Sequence, residues 1–257
     1  MATDTKIVLI MEYDGSHYHG FQLQAKLPTI QGEMEKALRK LTGEKIRVMA
    51  ASRTDTGVHA REQVASIRTK SSLPAETFVK GLNYYLPRDI AVKDAFRVRG
   101  TFNARRDAIS REYRYHILNY PTRSPMRRSF ACLVRGDLNI EAMHEACRAL
   151  VGRHDFASFA TRLESRQKST VRRVYQASVE RDGELIVFRI VANSFLPHQV
   201  RNTVGALLSV GRGKMTVADF YSIIEAKKPG LAGPMAPACG LCLIRVNYPY
   251  SWEEIRN

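Results

Sequence analysis

Acidic residues are scarce in this 257-residue chain. Asp and Glu number 25 against 40 Lys and Arg, which leaves a formal net charge of +15. An excess of that size points to a polyanionic partner, and nucleic acid fits it better than acidic lipid. Lipid would want a basic amphipathic helix, whereas the arginines here collect in loop-like and strand-like stretches such as 97–114 and 162–173. Long apolar runs are also missing, so no membrane association is expected. The opening MATDTKIVLI has neither a basic leader nor a small-residue cleavage site, and a cytoplasmic location is expected. Cysteine is too sparse for a disulfide scaffold: Cys132, Cys147, Cys239 and Cys242 are expected as reduced thiols. Cys239 and Cys242 have C-x-x-C spacing, but no second pair follows and they open the apolar run CGLCLIRV. That run reads as a buried strand, and a metal site, which needs four ligands, is not expected.

What is present alternates between two periodicities. KIVLIMEYDG, residues 6–15, reads as an apolar strand ending in an Asp-Gly turn. From Thr29 the residues Ile30, Met34, Ala37, Leu38 and Leu41 recur at helical spacing, with Gly43 placed to stop the helix. KIRVMAA and REQVASIRT alternate like strands, a short helix follows over 75–86, and DIAVKDAFRVR closes the first half as a strand. In ISREYRYHILNY the alternation puts Tyr113 and Tyr115 on one side. Asn139 can cap a helix with Ile140, Met143, Cys147, Leu150 and Val151 on its apolar face. VYQASVERDGELIVFRIVA reads as a hairpin turning at Asp182-Gly183, and Pro197 suits the first turn of a helix that ends at Gly211. Thr216 with Asp219 forms a capping box for another helix, and a last strand runs over 239–246. Strands outnumber what a repeated strand-helix-strand pattern would give, so the fold class expected is α+β with antiparallel sheet.

The stretch SRTDTGVHA, residues 52–60, contains the Asp-Thr-Gly triplet of aspartic proteases. That chemistry needs two carboxylates sharing a proton, and only one such motif is present. Arg53, two residues before Asp55, would also hold the carboxylate ionised. On the triplet alone a turn and a functional carboxylate remain equally open. Gly211 to Lys214, Gly-Arg-Gly-Lys, does not make a nucleotide-binding loop: position 208 is Leu where that pattern needs Gly, and Met215 stands in place of Ser or Thr.

The wider context of Asp55, R-T-D-x-G-V-H over residues 53–59, resembles the catalytic loop of the tRNA pseudouridine synthase A family. EYDGSHYHGFQLQ, TIQGEMEKAL, NYYLPRDIAV, FNARRDAISREYRY, LVGRHDFASF, ANSFLPHQVRNTVGALLSVGRG and APACGLCLIRVNYP resemble further family blocks in the expected order, over essentially the whole chain. Order and spacing differ slightly around His19 to Gln22. Gln199 stands where the family commonly has Met, a departure expected to matter little.

The resemblance implies isomerisation of uridine to pseudouridine at positions 38, 39 and 40 of the tRNA anticodon arm, without cofactor or metal. It implies two related subdomains, 1–104 with the catalytic loop and 105–257 with the last strand returning to the first, forming an extended antiparallel sheet with flanking helices and a basic central cleft. It also implies a homodimer. Asp55 would be the nucleophile or base, with Arg201 as its cationic partner. Tyr113 would face the target base, and Arg53 would assist base flipping or contact RNA. His59 would order the loop through a hydrogen bond. Taken without the resemblance, Arg201 reads as a solvated helix arginine and Tyr113 as core packing. A non-catalytic RNA-binding module with the same fold is the rival. Gly211 to Lys214 and the arginines of 162–173 are expected to meet RNA phosphates, where roughly six contacts would cost about a thousandfold in affinity between 50 and 200 mM salt.

Overall fold

The central strand of the N-terminal half, β1 (Thr5–Tyr13), is buried without interruption from Ile7 to Met11. A strand that apolar on both faces needs neighbours on both edges and cover above and below. A computed structural model describing residues 4–161 and 169–255 shows how the chain supplies them. In chain order the next elements are α1 (Ile30–Thr42), β2 (Met49–Ala50), β3 (His59–Thr69), α2 (Ala75–Tyr85) and β4 (Ile90–Val98). Then come β5 (Ser110–Asn119), β6 (Cys132–Val134), α3 (Ile140–Arg148), β7 (Gly152–Asp155), β8 (Val171–Asp182) and β9 (Leu185–Ala192). The chain closes with α4 (Gln199–Gly211), α5 (Val217–Ala226), β10 (Leu241–Asn247) and α6 (Trp252–Ile255). The fold is α+β, and the backbone divides into two compact units, Met1–Arg111 with Leu243–Asn257, and Glu112–Cys242.

In the first unit the strand order is β4-β1-β3-β10, with β1 antiparallel to both β3 and β4 and the short β2 antiparallel to β3. Helices α1 and α2 bring Met34, Leu38, Phe78 and Leu82, all buried, to this core. Gly43 ends α1 in the left-handed conformation, as the sequence predicts, and Thr29 caps its start by accepting the Gly32 N–H. After β10, Trp252 stacks on Phe96 at 5.6 Å and meets Phe102 edge-on at 6.1 Å, so the last residues complete this unit's core.

In the second unit the order is β5-β9-β8-β7. Its β7·β8 and β8·β9 pairs are antiparallel, while β6 pairs with β5 in parallel, an arrangement that alternation alone does not reveal. Asn139 accepts the Ala142 N–H at the start of α3, and Thr216 with Asp219 forms the expected capping box on α5. The hairpin turns where Asp182-Gly183 predicts. Across β5 and β9, buried Glu112 accepts from Arg189 Nε at 2.9 Å and Nη2 at 3.2 Å, and from Arg114 at 3.2 Å. Burial alone would raise the Glu112 carboxyl, but Arg189 and then Arg114 outweigh it and hold the group below the usual glutamate range.

Four boundaries differ from the periodic reading. Residues 45–48 do not join a strand, because the Val48 N–H donates to Glu35 Oε1 of α1 at 3.1 Å instead of to a ladder. Pro197 lies outside α4, which starts only at Gln199, since His198 takes the left-handed conformation with φ 62°. Helix α3 stops at Arg148, leaving Leu150 buried but Val151 exposed. Cys239 sits in a single 3-10 turn before β10, and all four cysteines are free.

Glu112→Gln is expected to cost about 1–2 kcal/mol at pH 7, since both arginine partners are half-exposed and solvent-screened. A carboxyl depressed in the folded state contributes stability above its unfolded pKa and loses it as pH falls through the folded value. The difference between parent and variant should therefore shrink below about pH 4. Urea unfolding of both proteins at pH 7 and pH 3.5 measures this.

Candidate active site

Asp55 occupies the loop between β2 and β3, half-buried, with Thr54 buried before it and Thr56 exposed after it. The Val58 N–H donates to Asp55 O at 3.1 Å and Gly57 has φ 76°, so residues 55–58 form a β-turn with glycine where a positive φ is required. The turn reading of Asp-Thr-Gly is therefore correct for the backbone. It leaves open what the carboxylate does.

The rest of the first unit holds this loop nearly residue by residue. Ala51 O accepts from Arg111 Nη2 at 3.2 Å, and Arg111 also donates to Ala108 O and Arg105 O. Gln63 closes both polar groups of Ser52, donating to its carbonyl at 2.7 Å and accepting its N–H at 3.2 Å. Tyr13 Oη and Thr54 Oγ1 share a 2.8 Å hydrogen bond in the interior, with Gln63 Nε2 donating to the same phenol oxygen. Thr54 O accepts the Phe21 N–H, and Tyr18 O accepts the Gly57 N–H.

Two glycines permit this approach. A Cβ on Gly15 would lie 2.1 Å from Val58 O, and one on Gly20 would lie 2.7 Å from Thr54 O at a backbone φ of 84°. The turn of residues 14–21 thus packs backbone against backbone on the Asp55 loop. His59 is buried at the loop's end, where its Nδ1 accepts the Gly15 N–H at 3.1 Å and lies 3.1 Å from Asp14 Oδ1. In the neutral ring that nitrogen serves Gly15, while a protonated ring would donate to Asp14. Burial would raise the Asp14 carboxyl, but the Ser16 hydroxyl and N–H, helped by His59 and His17, hold it below the usual aspartate range.

Arg53 is exposed beside the turn. It stands close enough to Arg105 that, after burial, it is the further reason the Arg105 guanidinium is pushed below its ordinary value. The two guanidinium groups therefore repel each other. Tyr13, Arg105 and Arg111 lie in the blocks EYDGSHYHGFQLQ and FNARRDAISREYRY, but nothing in the sequence assigns them, or Gln63, to the support of this loop. Only the Asp14-Gly15 turn and the density of arginine over 97–114 hint at it.

Tyr113 and Arg201 belong to the second unit. Tyr113 is buried on β5 with the Phe195 ring edge-on at 5.3 Å and 88°. Arg201 lies at the start of α4, where its Nε donates to Ala236 O at 2.8 Å and its own carbonyl accepts the Ala236 N–H at 3.1 Å. The next carbonyl, Pro237 O, accepts from the Tyr115 hydroxyl at 2.8 Å. Tyr115 is core, as the alternation suggests, and also ties β5 to the segment that holds Arg201. Gln199 fastens the entry to α4 through its Oε1, which accepts the Leu196 N–H at 2.8 Å, while its Nε2 is buried without a partner among the described residues.

Arg212 and Lys214 are exposed at the end of α4. Of the arginines in 162–173, Arg172 and Arg173 are described, while those within 162–168 lie outside the described residues. No group of three or more His, Cys, Asp or Glu among the described residues could hold a metal ion, and no described helix is long and apolar enough to cross a membrane.

The model of the tRNA pseudouridine synthase family matches residues 9–105 and 146–249. A tRNA pseudouridine synthase A of Exiguobacterium sp. is 44% identical over 243 residues, covering 95% of this chain and 98% of that protein. Those of Pelobacter propionicus and Geobacillus kaustophilus are each 43% identical, over 242 and 247 residues. These alignments cover 94% and 95% of this chain, and 99% and 94% of the respective relatives.

The first matched stretch contains both sides of the joint between Gly15 and the Asp55 loop. Gly15→Ala is expected to displace residues 54–58 and to cost about 2–4 kcal/mol, because the added Cβ meets backbone that no rotamer change can clear. Hydrogen exchange should show the Gly57 and Val58 amides losing protection by about tenfold or more, with β1 and β4 little affected.

Proposed function

The chain belongs to the tRNA pseudouridine synthase A family, an isomerase family, and from that premise we propose that it converts uridine to pseudouridine at positions 38–40 of the tRNA anticodon arm. Asp55 is the proposed catalytic residue. The reaction breaks the bond from uracil N1 to ribose C1′, turns the base in place and joins C5 to the same carbon. N1 gains a proton and C5 loses one, so atoms and electrons balance without a co-reactant. A carboxylate serves as nucleophile or base in this sequence only while ionised. Arg201 is assigned the role of keeping it so.

The observation that carries the reading is the turn at 55–58, where Asp55 is half-buried while the backbone on either side is held by Gln63, Tyr18 and Gly15 and the Thr54 hydroxyl by Tyr13. A group that must meet a reacting atom gains from such preorganisation. A turn serving only to connect two strands would not need it. Arg53, exposed beside Asp55, is proposed to take the space a flipped base vacates or to contact the RNA. Tyr113 is proposed to offer its ring to the extruded base, and His59 to order the loop through Gly15 rather than to move protons. Work on tRNA in the cytoplasm as a homodimer belongs to the same reading.

Incubating the protein with unmodified tRNA, without metal or nucleotide, and mapping pseudouridine nucleoside by nucleoside tests the proposal. Parent protein should modify the anticodon arm, and Asp55→Asn should bind tRNA comparably with turnover reduced by at least about a thousandfold. Tight binding with no pseudouridine from the parent would leave an RNA-binding module instead. Tyr113→Phe should retain much of the activity that Tyr113→Ala loses. Equal loss in both would reject base stacking as its main role.

A further inference from the structure

Away from the Asp55 loop, the outer edge of the second unit carries a charge arrangement that packing does not explain. Arg153 on β7 and Arg173 on β8 are direct partners across an antiparallel pair, so their side chains leave the same face side by side. Both are exposed. Like charges directly opposite each other are unfavourable in a sheet unless an anion lies between them. Among the described residues neither guanidinium forms an ion pair. Asp155, two residues along β7, accepts the Ala157 N–H at 3.0 Å. The Arg173 guanidinium lies over the ring of Tyr175 at 5.8 Å, and Tyr175 is 45% exposed. A cation held over an accessible aromatic ring is placed to meet an anionic ligand beside that ring.

A charge on an edge strand also discourages unwanted strand pairing, and β7 is the edge of this unit's sheet. Arg153 alone would meet that need. The second arginine stands on the inner neighbour β8, where it guards no edge and adds repulsion toward Arg153.

We propose that Arg153, Arg173 and Tyr175 form a docking site for an RNA backbone, the two guanidinium groups bridging a phosphodiester and the tyrosine ring taking an adjacent ribose or base face. The site rests on the reading of tRNA as substrate and adds a contact remote in sequence from the reacting residues. Its place on an open strand face suits phosphate positioning rather than base readout. The repulsion it costs in the free protein is relieved when the phosphate arrives.

Arg153→Thr, Arg173→Thr, the double variant and Tyr175→Ala test this through tRNA binding across salt concentration, thermal unfolding and pseudouridine formation. Each arginine substitution should weaken binding several-fold near 100 mM salt and reduce the slope of log K against log salt by about 0.7–0.9. The slope loss should nearly double in the double variant. The loss should appear as a raised KM for tRNA, and the melting temperature should hold or rise as the repulsion is removed. Tyr175→Ala should weaken binding with the salt slope kept. Unchanged affinity and slope in the arginine variants would overturn the proposal, as would a fall in melting temperature that accounts for the lost affinity. Binding and turnover are read separately. A parent protein that binds tRNA with the steeper slope yet forms no pseudouridine would sink the proposed reaction and leave this site standing.

Discussion

Everything proposed for Asp55 depends on one steric constraint: the turn of residues 14–21 and the loop of residues 51–58 touch through their backbones. Gly15 and Gly20 leave no side chain between them and the carbonyls of Val58 and Thr54. At that distance the amides and carbonyls of one segment can satisfy those of the other, as the Phe21 and Gly57 N–H groups do. Backbone hydrogen bonds have little rotational freedom, so the Asp55 backbone inherits a position set by residues 14–21 and the start of β3. The Tyr13, Gln63 and Thr54 chain fills the space beneath with paired polar groups. A buried network of that kind stabilises one arrangement strongly because any other leaves a member unpaired.

Electrostatics works on two scales here. The net charge of +15 is a property of the whole surface and favours encounter with a polyanion at a distance set by salt. Close in, the chain neutralises positive charge where the fold needs it and leaves it bare elsewhere. Glu112 gathers Arg189 and Arg114 on the strands β5 and β9. Arg53 beside Arg105, and Arg153 opposite Arg173, are left crowded. Each such pair would be relieved by an anion placed between its members.

Local chemistry is legible in the sequence wherever one residue type has one use. Asn139 and the Thr216 to Asp219 pair cap their helices as written, Gly43 stops α1, and Asp182-Gly183 turns the hairpin. Periodicity misleads where a distant partner takes over a backbone group. Residues 45–48 alternate like a strand, but Glu35 from α1 claims the Val48 amide. Pro197 is a good helix start, but the left-handed His198 delays α4 by two residues. At the candidate site, Asp55, Arg53 and His59 are neighbours in sequence, so the motif exposes them together. The residues that hold them, Tyr13, Gln63, Arg105 and Arg111, come from three other segments, and no motif joins those segments to the loop. Alternation assigns such side chains a face, and only the folded chain assigns them a partner.

The two-unit division has a consequence for the order in which the protein can be made. The first unit includes Leu243–Asn257, so β10 and the Trp252 packing on Phe96 and Phe102 reach it only after the whole second unit has been synthesised. Until then β3 lacks its neighbour β10, and an apolar strand edge stays uncovered on a ribosome-bound chain. Glu112–Cys242, by contrast, is contiguous in sequence. The half of the molecule that leaves the ribosome first therefore waits for Leu243–Asn247 before its own sheet is complete.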